Sequence, residues 1–109
     1  MEQTKITVEQ TVSATVRVNN MDDDNRAYDI VADVTVNQGN IDSVSGGQVR
    51  EKGADTLVAD FSAYPGNRQY LFYGEDETSD RQILEAVSAF RVSVRRLVSA
   101  QGTASLANA

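Results

Sequence analysis

Ile6-Thr7-Val8-Glu9-Gln10-Thr11-Val12-Ser13-Ala14-Thr15-Val16-Arg17-Val18 is the stretch on which the fold turns. Ile6, Val8, Val12, Ala14, Val16 and Val18 hold even positions, and Thr7, Glu9, Thr11, Ser13, Thr15 and Arg17 hold odd ones. Successive side chains of a strand point to opposite faces, so this alternation predicts one dry face and one wet face. The β-branched content agrees. Only Gln10 breaks the pattern. As a single strand the run would span roughly 40 Å at about 3.3 Å per residue, which is long, so a bend or bulge is expected near Gln10.

Downstream, residues 19–26 carry Asn, Asp and Arg with no apolar period, and read as a loop. Tyr28, Ile30, Ala32, Val34 and Val36 resume the alternation, with Asp29, Asp33 and Thr35 on the other face and Val31 as the exception. Asn37-Gln38-Gly39-Asn40 offers positive φ for a tight hairpin. Residues 41–44 form the return strand, Ser45-Gly46-Gly47 a bulge or a break, and the polar segment 49–55 a loop. Leu57, Ala59 and Phe61 point inward from a strand over 56–62. Tyr64-Pro65-Gly66-Asn67 is a strong turn signal, because Pro presets φ at the second position and Gly permits positive φ at the third. The strand over 68–73 is apolar on both faces, Tyr70 and Phe72 on one and Leu71 and Tyr73 on the other. That pattern marks a central strand or a contact surface.

The last element is a helix. Ile83, Val87, Phe90, Val94 and Leu97 recur at spacings of four and three, joined by Leu84 and Val98. Ser79 with Gln82 fits a capping box, Asp76, Glu77 and Asp80 suit the positive end of the dipole, and Arg91, Arg95 and Arg96 lie toward the negative end. Gly102 is the expected stop. Five strands and a helix joined by short connections predict an α+β fold. The sheet is an antiparallel meander of four to five strands with one C-terminal amphipathic helix packed across one face. Residues 1–102 form the single domain and 103–109 a flexible tail.

Composition narrows the function classes. The chain has no Cys, His or Trp, which removes the commonest catalytic base, the thiol nucleophile and the usual transition-metal ligands. A net charge of −6, from 16 acidic and 10 basic residues, is wrong for direct nucleic-acid binding. No apolar run has the length of a membrane span. Met1-Glu2-Gln3-Thr4-Lys5 lacks a basic segment followed by an apolar one, so no leader peptide is expected and a cytoplasmic location is the default.

Individual clusters add little chemistry. Asp22, Asp23, Asp24 and Asn25, with Asp29 nearby, are the best set of hard oxygen ligands, but Arg26 interrupts them, no Gly permits the sharp turn of a calcium loop, and a solvated acidic loop is the plainer reading. Asp29 and Asp33 share a strand face, yet nothing around them signals a raised carboxyl pKa. Ser and Thr lack a base, and no nucleophile elbow or phosphate-binding Gly-rich loop occurs. No catalytic residue, metal site or cofactor is therefore expected. Val31, Val58, Leu71 and Tyr73 fall on the face away from the helix, where a cluster of apolar side chains suits a partner. The expected function is a non-enzymatic interaction or assembly module, binding a protein partner or a second copy through the outer sheet face or an edge strand. The alternative is an acidic decoy that occupies a nucleic-acid-binding site on another protein, provided that the acids at 22–24 and 75–80 share one side of the molecule. A small-ligand pocket between helix and sheet is a third possibility without a polar anchor.

Overall fold

The computed structural model describes residues 4–12 and 14–107, with side chains described as far as residue 99. Six strands form one sheet in chain order: β1 (Thr7–Val12), β2 (Thr15–Asn19), β3 (Tyr28–Asn37), β4 (Asn40–Glu51), β5 (Leu57–Tyr64) and β6 (Asn67–Phe72). Every neighbouring pair is antiparallel, and α1 (Glu77–Ala107) closes one face. The α+β meander with a C-terminal helix is as the alternation predicts. The strand count is six instead of four to five.

The extra strand comes from the opening run, which is a hairpin and not one bent strand. Val12 pairs with Thr15 and Thr7 with Asn19. Between Val8 and Gln10 the register shifts by a bulge at Glu9. The shift exchanges the faces beyond it: Thr11 lies opposite the core residue Val16, while Val12 turns outward and is 59% exposed. Ala14 is exposed as well, its carbonyl accepting the Val36 N–H at 2.8 Å. Ser13 lies outside the described residues.

Three further boundaries differ from the sequence reading. Ser45-Gly46-Gly47 is a bulge and β4 continues to Glu51, so 49–51 is strand. Gly46 has φ of +58°, and a Cβ on Gly47 would lie 2.6 Å from the Phe61 ring and from its carbonyl oxygen. The glycines thus let β4 bend against β5 and go on. The helix begins at Glu77, two residues ahead of Ser79, because Asp76 is the cap: its carboxylate accepts from the Thr78 N–H at 2.9 Å and from the Ser79 hydroxyl at 3.3 Å. At the far end α1 passes through Gly102 to Ala107, beyond the expected stop. Residues 103–107, assigned to a flexible tail by sequence, are helical, and 108–109 lie outside the described residues. Arg91, Arg95 and Arg96 consequently sit within the helix and not in its last turn.

The two hairpin tips match their sequences. Gln38 and Gly39 have φ of +53° and +79°, the signs a type I′ turn demands at both central positions. Gly66, at +75°, follows Pro65 between the paired Tyr64 and Asn67.

The core is the inner face of the sheet against one stripe of α1. Val16, Val18, Ile30, Ala32, Val34, Val36, Val49, Ala59 and Phe61 meet Ile83, Val87, Phe90, Val94 and Val98. Leu84, placed on the apolar face by its spacing, is 39% exposed. The helix lies chiefly on β3 and β4, with lighter contact to β1 and β2, so β6 is outside its main footprint.

Because the Phe61 ring fills the space over Gly47, Gly47→Ala is expected to cost about 2–3 kcal/mol through overpacking. Gly39→Ala, with positive φ but nothing within 4 Å, is expected to cost only about 1 kcal/mol. Urea denaturation of the two variants checks the order, and equal losses would contradict the close approach at Gly47.

Candidate functional site: the outer sheet face and the β6 edge

The paired registers line up one transverse row on the face away from α1: Thr7, Asn19, Val31, Gln48, Asp60 and Leu71, one residue from each strand. In that row Val31 and Leu71 are separated by Gln48 and Asp60, so the four predicted contact residues do not form one patch. Val31 is 9% exposed, closed in on the outer face two strands from the nearest of the others, and the exposure expected of it is not found. Val58 is half-buried, whereas Leu71 and Tyr73 are 57% and 48% exposed. The Tyr73 N–H donates to the Val58 carbonyl at 3.0 Å. Val58 packs against the helix-side core, so the structure leaves only Leu71 and Tyr73 exposed together at the β6 end, with Val31 aside.

The rest of the outer face is a polar lattice. Arg17 reaches Glu9 at 3.3 Å and Asp33 at 3.2 Å, and Arg50 donates to Gln48 at 3.0 Å. Tyr73 donates its phenol hydrogen to the Asp60 carboxylate. That bond, followed by burial and by the negative charge of Asp60, holds the Tyr73 phenol above its ordinary value of 10.0.

β6 is an open edge. The Tyr73–Val58 bond fixes the phase of the β5–β6 ladder, in which hydrogen-bonded and non-hydrogen-bonded pairs alternate. Leu71 and Gln69 thus spend their main-chain groups on β5, while the N–H and C=O of Arg68, Tyr70 and Phe72 point away from the sheet. On the helix-side face the same strand carries Tyr70 and Phe72, half-buried and stacked at 6.1 Å between ring centroids with planes 5° apart. Phe61 stacks on Tyr70 at 6.4 Å and meets Phe90 edge-on at 6.5 Å, linking this row to the helix. The other edge is guarded. β1 has its bulge at Glu9, and its Thr7 hydroxyl donates to Asp22 at 2.6 Å. Sequence reasoning found the two-faced apolar character of the last strand but not its edge position, because strand order is a tertiary property.

The acidic loop is built inward. Asn20 closes it on both sides, donating to the Tyr28 carbonyl at 2.9 Å and accepting from the Ile30 N–H at 2.8 Å. Asp23, 7% exposed, accepts from the Asn25 N–H, and the Arg26 guanidinium reaches the Asp23 carbonyl at 3.1 Å. Asp29, 8% exposed, pairs with Arg26 and also accepts from the Gly53 N–H at 3.1 Å, tying this loop to the β4–β5 turn. Lys52 donates to the Asp24 carbonyl at 2.8 Å. Among the described residues no group of three or more carboxylates is arranged to hold a metal ion. The β6–α1 junction with Glu75 and Asp76 lies at the same end of the sheet as this loop, but it follows β6, on the far side of the β4–β5 turn that carries Lys52.

The enclosed space between helix and sheet is small: Val34, Ile41, Val44, Phe90 and Val94 bound about 90 Å³, well below the ~300 Å³ of an ordinary ligand pocket. Open depressions of about 650 and 620 Å³ lie at the helix margins, one beside Ile6 and Leu97 and one beside Tyr28 and Gln82. An open depression of about 770 Å³ runs beside the β4 bulge, lined by Gly46, Gln48, Asp60, Gln69 and Leu71 among others. No helix is long and apolar enough to cross a membrane among the described residues. Compared with known proteins, the chain matches no family's model, no curated sequence and no solved structure.

The Tyr73–Asp60 bond has a pH signature. The neutral phenol is the bonded form, so the contact is in place below pH ~10 and is lost as the pH rises through the raised value. An ultraviolet titration should show the Tyr73 step above its ordinary value. In Asp60→Asn that step should move to lower pH, and an unchanged curve would contradict the bond.

Proposed function

We propose that this chain is a non-enzymatic assembly module that self-associates at the β6 end of its sheet. The observation that carries the reading is the combination, on β6 and the residue that follows it, of unpaired main-chain groups, exposed Leu71 and Tyr73, and half-buried Tyr70 and Phe72. Edge strands invite pairing, and proteins that avoid it use charge, Pro, bulges or a covering element. β1 uses a bulge and a hydrogen-bonded loop; β6 has neither, and Arg68 is its one charge.

The acidic-decoy alternative draws on the placement of residues 22–24 and 75–80 at one end of the sheet. Imitating a phosphate backbone needs an uninterrupted negative surface. Asp23 and Asp29 are spent inside the loop together with Arg26, and Lys52 interrupts what is left. The edge reading is the better supported.

Light scattering on a sizing column, at low and high salt and across a range of concentrations, tests it. The expected result is a species heavier than the 11.8 kDa chain that persists in high salt. Leu71→Asp, at a position already exposed, should return the mass to that of one chain with an unchanged circular dichroism spectrum. A wild type that stays a single chain under every condition overturns the proposal.

A further inference from the structure

Resting on the assembly reading, the geometry points to a specific partner and register: we propose that a second copy of this chain pairs antiparallel along β6, with the two-fold axis passing at Leu71. The free main-chain groups belong to Arg68, Tyr70 and Phe72, so only registers that pair even-numbered residues with even-numbered ones can form a ladder. Centring the axis on Leu71 sets Tyr70 opposite the partner's Phe72 and Phe72 opposite the partner's Tyr70, and each pair exchanges both of its N–H···O bonds. On the outer face the 57% exposed Leu71 meets its own twin as a non-hydrogen-bonded pair, the closer kind, and Gln69 faces the partner's Tyr73.

Charge favours this register over its neighbours. Arg68 makes no ion pair among the described residues, and here it comes opposite the partner's Gly74, beside the partner's Glu75 and Asp76. No like charges are brought face to face. Centring on Tyr70 instead would put Leu71 against the partner's Gln69 and Arg68 against the partner's Phe72, losing both the apolar pair and the acidic neighbours. A two-fold interface of this kind is self-complementary and closes at two copies, since each chain has one such edge. The result is a continuous sheet of twelve strands, six from each copy.

The absence of cysteine gives a clean test. In the proposed register the two Leu71 Cα atoms lie about 4.5 Å apart, within the roughly 4.4–6.8 Å that a disulfide spans. Each Gln69 is two residues from the axis, so the two Gln69 positions are roughly 14 Å apart and cannot be bridged. Under mild oxidation Leu71→Cys should double in mass on a denaturing, non-reducing gel. Gln69→Cys and Tyr73→Cys should each stay single, and an equimolar mixture of those two should cross-link. Cross-linking of Gln69→Cys with Leu71→Cys in preference, or a dimer by light scattering with no link at Leu71→Cys, overturns the register and leaves the assembly reading standing. A single-chain mass for the wild type overturns both.

Discussion

One helix has to cover six strands. A helix with its side chains is about 10–12 Å across, and six strands at about 4.8 Å spacing make a sheet roughly 24 Å wide. The middle of the sheet receives the cover: β3 and β4 lie under Ile83, Val87, Phe90 and Val94, and their inward residues Ile30, Ala32, Val34 and Val49 are almost wholly buried. Strict alternation follows, because the face without a helix must be wet. β3 and β4 therefore place Asp33, Thr35, Ser43 and Gln48 outward while their Val and Ile residues, Val31 excepted, turn in. The edges inherit the shortfall, and the molecule treats its two edges differently.

At the β1 edge the shortfall is handled within the chain. The bulge at Glu9 turns the strand's polar residue Thr11 to the inner side, where burial would have cost most under the helix but costs little at the margin. The Asp22 side chain takes the Thr7 hydroxyl, bracing this edge from the next loop. At the β6 edge aromatic stacking substitutes for the missing helix: Phe72 lies on Tyr70, Tyr70 on Phe61, and Phe61 against Phe90. Each such contact adds about 0.5–1.5 kcal/mol beyond area burial. The row reaches as far as the edge, where Tyr70 and Phe72 remain only partly buried.

The elements that a reader of the sequence finds are those whose signals are local. The 3.6-residue period from Ile83 to Val98, the Pro65-Gly66 turn and the Gln38-Gly39 turn depend on no distant contact, and each is where its residues place it. The misses have a common physical source, which is a period that continues through an interruption. Ser13-Ala14 preserves parity, so a hairpin reads as one long strand until length alone argues against it. Gly46-Gly47 reads as a break because glycine weakens a strand, whereas Phe61 from β5 fills the room that the missing Cβ leaves. Gly102 reads as a stop on the same local logic, and the helix runs past it. For the candidate site, the two-faced character of residues 70–73 is written in the sequence, but whether such a strand is central or marginal is decided by strand order, which only long-range pairing sets. Val31 has the same pattern as Leu71 and the opposite fate, since it lies between β2 and β4 and Leu71 has no neighbour beyond β6.

The acidity of the chain divides along the same lines. Of the carboxylates that look from the sequence like one solvated run, Asp23 and Asp29 serve as main-chain acceptors, and Arg26 enters the loop as the counter-ion of Asp29 instead of interrupting a ligand set. Removing one member of such a buried pair strands the other without water, a loss of about 3–5 kcal/mol where burial is complete. Those charges are committed to holding the β2–β3 loop against the β4–β5 turn, so they contribute little field to the surface. Arg68 is in the reverse position, a cation with no ion pair among the described residues on a chain that carries an excess of acids. An unpaired cation costs nothing in water, and it becomes informative only because its strand also ends the sheet. Open hydrogen-bonding groups, partly covered aromatics and an unspent charge converge on β6, and no single one of them would distinguish it from an ordinary surface.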